Sequence, residues 1–292
     1  MNEKTIYALG LFDGVHLGHQ ALLIACRHLA ERTGCKAGAV TFAAHPESLL
    51  TGSAPKLINT IEDRQRLLCA YGMREILVLP FDEDLMHTHW STFLSQLLQR
   101  DAAGFVCGSD FRFGAGGSGT AKKLAAYCKS RSLPYAIVPQ QRLDDTVVSS
   151  THIRSLLEQG NMEEAVRFLG HPHALTGQVV QGRQLGRTIG IPTANLVLPQ
   201  ELVQLRFGVY ACAIVADGRK YFAVTNVGTR PTVQGHHVTV ESWLSDFEGD
   251  LYGKMLTLAF HKFLRPEKKF DSLEELKAQI QEDMARARQI LG

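Results

Sequence analysis

The spacing of apolar residues changes near residue 170, and that change commits the chain to two unlike halves. Before it, short apolar runs alternate with longer amphipathic ones. Thr5–Leu9, Lys36–Phe42, Glu75–Leu79, Gly104–Cys107 and Tyr135–Val138 read as strands. His19–Glu31, Thr60–Tyr71, Ser91–Arg100 and Thr120–Arg131 read as the helices between them, with Thr60 and Asp63 as a capping pair for the second. This alternation predicts a mainly parallel sheet wrapped by helices, with ligands at the carboxyl ends of the strands. Two short helices, Ser150–Gln159 and Asn161–Leu169, are expected to close the first domain at Gly170-His171-Pro172-His173. Beyond Ala174 the runs LTGQVV, GVYACAIVA, KYFAVTNVG, HVTVESWL and MLTLAFHKFL are β-branched or aromatic and separated by turn residues. They predict a small antiparallel barrel. A last helix is expected with Ser272 as N-cap, Glu275 at N3 and an apolar stripe at Leu273, Leu276, Ile280 and Met284. The expected architecture is α/β plus β: a Rossmann-like domain over residues 1–170 and a β-barrel with a terminal helix over 171–292.

A length of 292 residues suits two such domains. Lys plus Arg number 31 against 29 Asp plus Glu, and they alternate along the chain, so no nucleic-acid partner is expected. Six scattered cysteines without a CxxC pair read as reduced thiols of a cytoplasmic protein. No apolar run approaches the ~20 residues of a membrane span, and the start lacks a signal-peptide layout, so no membrane partner is expected. Self-association is left open.

The first strand runs into Phe12-Asp13-Gly14-Val15-His16-Leu17-Gly18-His19, followed by a helix. Two imidazoles flanking a glycine at a helix start suit a phosphoryl group, because free N–H groups and the dipole attract anions there. They could stabilise its charge without a covalent intermediate. Ser149-Ser150-Thr151-His152-Ile153-Arg154 opens another helix, and taken alone it is ordinary N-capping. Together the two segments resemble the HxGH and SSTxxR signatures of the nucleotidylyltransferase superfamily. Gly108-Ser109-Asp110-Phe111-Arg112-Phe113-Gly114 further resembles the GxDFxFG segment of prokaryotic FAD synthetases. That resemblance implies that His16 and His19 steady the α-phosphate and the leaving pyrophosphate. It also implies that Phe12, Asp13, Gly14 and Asp110 help position ATP, while Ser150, Thr151 and Arg154 hold its triphosphate. The chain departs from the pattern at Leu11, where many members have Asn, and at Ala43-Ala44, where they have an acidic residue and Pro.

In the second half, Gly186, Gly190 and the tetrad Pro192-Thr193-Ala194-Asn195 form a GxxxGxPTAN segment. In an extended strand Thr193 and Asn195 share one face, and hard oxygens of that kind suit Mg²⁺ bridging phosphates. The chain contains no GxxxxGK[ST] motif, so a kinase here would cradle phosphate in another way. GxxxGxPTAN resembles the riboflavin kinase signature, and Asn226–Thr232, Glu241, Asp250–Gly253 and Phe263–Glu267 follow in that family's order. The resemblance implies that Thr193 and Asn195 coordinate Mg-ATP and that Glu241 is the general base for the ribityl 5′-hydroxyl. Gly186, Gly190, Asn226, Thr229, Arg230 and Arg265 would contact ATP or flavin, with the Asn226–Thr232 and Leu264–Glu267 segments as loops closing over substrate.

The whole chain thus resembles the prokaryotic bifunctional riboflavin kinase/FAD synthetases. Their substrates are riboflavin, FMN and ATP, their metal is Mg²⁺ and their products are FMN and FAD. Retention of one activity alone, a nucleotidylyltransferase for another acceptor, and a flavin-responsive regulatory binding protein are the alternatives.

Overall fold

The computed structural model describes residues 3–47, 55–180, 193–216, 218–232, 235–247 and 249–292, without the side chains of 230–232 and 235–237. The chain divides into two compact units, Met1–Leu57 with Ile61–Ser150, and Ile58–Thr60 with Thr151–Gly292.

The first unit runs β1 (Thr5–Leu9), α1 (Leu17–Thr33), β2 (Lys36–Phe42), α2 (Ile61–Ala70), β3 (Glu75–Leu79), α3 (Glu83–His87), α4 (Trp90–Arg100) and β4 (Ala102–Gly108). It continues with the hairpin β5 (Arg112–Phe113) and β6 (Gly119–Thr120), then α5 (Ala121–Ser130) and β7 (Tyr135–Val138), and ends with the hairpin β8 (Arg142–Leu143) and β9 (Thr146–Val147). The five-stranded sheet is parallel in the order β3-β2-β1-β4-β7. Every residue of β1 is buried, because helices cover both faces. Ile6 and Ala8 pack with Leu23 and Cys26 of α1, while Tyr7 and Leu9 pack with Leu94 of α4 and Leu124 of α5. Strand order reverses between β1 and β4, so a crevice opens at their carboxyl ends.

The second unit holds α6 (Ser150–Gln159, from Thr151 onward) and α7 (Met162–Leu169), which the sequence reading attached to the first domain. The strands β10 (His173–Val180), β11 (Thr193–Val197), β12 (Gly208–Ala216), β13 (Arg219–Thr232), β14 (Gly235–Leu244) and β15 (Met255–Arg265) follow, then α8 (Leu273–Leu291). The strands close into a barrel in the order β10-β11-β14-β13-β12-β15. Closure removes the sheet edges, as a small all-β domain requires. Helix α8 covers β12 and β13, with Ala287 and Met284 against Val209, Ala211 and Val224.

Two expectations are corrected. Leu273 is 45% exposed, and the buried stripe of α8 is Ile280, Asp283 and Ala287. Helix capping placed Leu273 at N1, before the helix reaches the barrel wall. Residues Asn226–Thr232 are not a loop but the end of β13, paired residue by residue with β14. The loop was implied by the family resemblance, and the β13–β14 ladder runs through it. Among the described residues, no helix is long and apolar enough to cross a membrane.

Candidate active sites

The turn from β1 into α1 has positive φ at Phe12 (57°), Gly14 (81°) and Val15 (41°). Phe12 and Val15 tolerate it because both side chains are fully buried in the core, which offsets the backbone strain. His16 is then the N-cap of α1, its Nδ1 accepting from the His19 amide at 3.3 Å. An accepting Nδ1 places the ring proton on Nε2. Gly18 makes this geometry attainable, since a Cβ there would stand 3.1 Å from His16 Cε1. The His16 and His19 rings stack with centroids 3.7 Å apart and planes 15° apart, and Phe12 meets His19 edge-on at 5.2 Å. Burial first, then the charges of His16 and Arg64, push the His19 pKa well below 6.5, so the ring is neutral at pH 7. Its buried Nδ1 has no hydrogen-bond partner, which leaves a polar atom for a ligand to satisfy.

His16, His19, Asp110 and Ser150 line one cavity of about 340 Å³ at the carboxyl ends of β1 and β4. Ser150 Oγ, within the first unit, also donates to the Asp13 carbonyl of the β1–α1 turn at 2.9 Å. Asp110 accepts from Gln140 Nε2 at 2.9 Å. Phe12, Asp13 and Gly14 are buried and do not line the cavity; they build the turn that presents the histidines. Thr151 and Arg154 belong to the second unit, where Arg154 Nη2 donates to Thr151 Oγ1 at 3.2 Å. The sequence reading missed Gln140, Gln141 and Arg112 of the cavity wall. Polar residues directly after a parallel strand were the available signal.

In the barrel unit, register gathers the expected residues. Asn195 on β11 pairs with Glu241 on β14, which pairs with Asn226 on β13. The row continues through Val209 on β12 to Arg265 on β15. Direct neighbours in antiparallel ladders hold their Cβ atoms about 5 Å apart on one face, so Asn195, Glu241 and Asn226 form a contiguous polar strip. Thr193 sits two residues along the same face, and Ala194 and Leu196 point into the core. Asn226 Nδ2 donates to Glu267 Oε1 at 3.1 Å, and Glu267 reaches over Gly228, where a Cβ would leave no room for it. Arg265 Nε and Nη2 donate to the buried Asp283 at 2.9 and 2.8 Å. Thr229 is exposed on β13. Gly186 and Gly190 lie outside the described residues, as does the side chain of Arg230. The Thr193 hydroxyl and the Asn195 carbonyl are hard oxygens on one face of β11, donors that fit Mg²⁺ carrying waters and phosphate, and the Glu241 carboxylate is Asn195's cross-strand neighbour.

A family model described as FAD synthetase matches residues 1–152, and one described as riboflavin kinase matches residues 169–291. The bifunctional riboflavin kinase/FMN adenylyltransferase of Escherichia coli is 36% identical over 99% of this chain and 94% of its own length. That of Bacillus subtilis is 33% identical over 97% of this chain and 92% of its own. Among solved structures, a Streptococcus pneumoniae protein named as a macrolide-efflux protein has a TM-score of 0.88 at 31% identity, covering 99% of this chain and 95% of its own.

Proposed function

The chain belongs to the bifunctional riboflavin kinase/FMN adenylyltransferase family, and from that premise we propose how its residues divide the work. It phosphorylates riboflavin with ATP to give FMN and ADP, then adenylylates FMN with a second ATP to give FAD and pyrophosphate. We assign the adenylyl transfer to residues 1–170 and the phosphorylation to 171–292.

In adenylyl transfer an FMN phosphate oxygen attacks the α-phosphorus of ATP, and the bond to the leaving pyrophosphate breaks. His16 and His19 donate N–H groups to the phosphate oxygens as charge builds there. His19 is neutral before binding, and the ATP phosphates shift it toward the protonated form. Asp110, held by Gln140, orients the nucleotide, and Ser150, Thr151 and Arg154 hold the triphosphate.

In phosphorylation Glu241 accepts the proton of the ribityl 5′-hydroxyl as its oxygen attacks the γ-phosphorus and ADP leaves. Thr193 and Asn195 would hold Mg²⁺, which would neutralise charge on the ATP phosphates. Asn226, Thr229, Arg230 and Arg265, with Gly186 and Gly190, contact ATP and flavin. The observation that carries this reading is the register row that brings Asn195, Glu241 and Asn226 together from three strands. An ATP requirement and six free thiols support a cytoplasmic location.

The test is chromatography of the products from riboflavin, ATP and Mg²⁺. The full chain should yield FMN and then FAD. A chain ended at Gly170 should convert FMN to FAD, and one begun at His171 should stop at FMN. FAD from the C-terminal piece would overturn the assignment.

A further inference from the structure

Arg64, in the first turn of α2, heads the fully buried side chains among the described residues by size, with 0% exposure. None of the chemistry above uses it. Burying a guanidinium costs several kcal/mol unless partners compensate, so its surroundings need explaining. Nη1 donates to the Phe42 carbonyl at 2.9 Å and to Thr41 Oγ1 at 3.3 Å, just where β2 ends. The Thr41 hydroxyl in turn donates to the Leu11 carbonyl at 2.7 Å. The direction of this relay is forced. Arginine has donors only, and a hydroxyl has a single proton, so accepting from Arg64 commits that proton to Leu11.

Leu11 lines the histidine cavity and opens the turn whose Phe12, Gly14 and Val15 hold positive φ. Asp13 in that turn is 1% exposed, and its carboxylate attracts the Arg64 charge. The Asp13 carbonyl is also the acceptor for Ser150. Arg64 therefore bonds the end of β2 and reaches the turn from which His16 and His19 project in two ways, through the Thr41 hydroxyl on the Leu11 carbonyl and through its charge on Asp13. Its charge also reaches the His19 ring, where it favours the neutral form.

We propose that Arg64 is a positioning residue for adenylyl transfer, fixing the β1–α1 turn through Thr41 and Asp13 so that the two histidines meet the phosphates. The proposal rests on the assignment of His16 and His19 to that reaction. It predicts a kcat effect, because a turn displaced by a fraction of an ångström still binds flavin but misaligns the reacting atoms. Losses of ~10 to ~10²-fold follow from such misplacement.

The experiment uses the full chain and measures both activities with the thermal midpoint. Arg64→Met should lower kcat for FAD formation by ~10-fold or more. KM for FMN should change little, and riboflavin phosphorylation should be unchanged. Arg64→Lys keeps a cation and donors and should recover most of the lost turnover. Thr41→Val removes the relay hydroxyl at nearly constant volume and leaves the Arg64 charge in place; it should show the same kcat loss in weaker form. Should Arg64→Met fail to fold, Thr41→Val decides. Wild-type kcat in folded Arg64→Met, or in Thr41→Val when the former is unfolded, overturns the proposal. So does a loss confined to KM. His16→Ala run alongside separates the two levels: wild-type FAD formation there defeats the site assignment itself, whereas its loss beside an unaffected Arg64 series defeats only this inference.

Discussion

Asp283→Ala tests whether Arg265 is held for the barrel or for the substrate. Asp283 is wholly buried, and its Oδ2 accepts from Arg265 Nε at 2.9 Å and Nη2 at 2.8 Å. The Arg265 side chain keeps only 18% exposure, so truncating the carboxylate strands a largely buried cation beneath α8. Removing one member of a buried pair costs about 3–5 kcal/mol. Against a total stability of roughly 5–15 kcal/mol, that is a large share. A domain of this size loses roughly 3–5 °C per kcal/mol, so the barrel transition should fall by about 10–20 °C in calorimetry or circular dichroism. The double variant Arg265→Met/Asp283→Leu replaces both charges by apolar groups and should regain most of that stability. Its turnover then decides the role of Arg265. Lost FMN formation in a stable double variant means that Arg265 meets substrate; full turnover means that it serves the fold. A single Asp283→Ala variant melting within about 2 °C of the wild type would refute the ion-pair reasoning.

Glu241→Gln should depress kcat for FMN formation by ~10²–10⁴-fold while riboflavin binding, followed by flavin fluorescence, stays near wild type; full turnover would make this carboxylate structural. Gly18→Ala places a methyl against the His16 ring, so the ring must shift and its cap bond to His19 weakens. It should cost about 0.5–2 kcal/mol and reduce FAD formation with phosphorylation intact, as paired activity assays and melting would register. Burial, and then His171, lower the pKa of His173 from 6.5 to about 3. The folded state therefore resists a proton that the unfolded chain accepts, so this contribution is fully present above pH 6.5 and is lost as pH falls toward 3. At pH 5 the loss is on the order of 2 kcal/mol, and His173→Leu should flatten the pH dependence of the barrel transition between pH 7 and 5.

The chain order of elements was legible because it depends on near neighbours. Thr5–Leu9, Lys36–Phe42, Glu75–Leu79 and Tyr135–Val138 announce strands through runs that both faces of a sheet can bury, and all four occur at those residues. Ser272 caps α8 by accepting from the Glu275 amide at 3.1 Å, a contact three residues long and so readable locally. The short hairpins and α3 were missed, because two to five residues leave no period to detect.

The sequence by itself determined which residue types were at hand: imidazoles at a helix start, hydroxyl and amide oxygens two apart on a strand, a carboxylate further on. Their assembly was tertiary. Pairing of β11 with β14 brings Asn195 beside Glu241, 46 residues downstream by their numbering, and that partnership exists only because the barrel closes with β11 between β10 and β14. The pairing of Asp283 with Arg265, and of Arg64 with the Thr41 hydroxyl and the Asp13 charge, likewise joins residues of separate elements. The physical reason is the same in each case. Periodicity and capping are settled within a turn or two of chain, whereas register and the compensation of buried charge depend on which distant surfaces exclude water together.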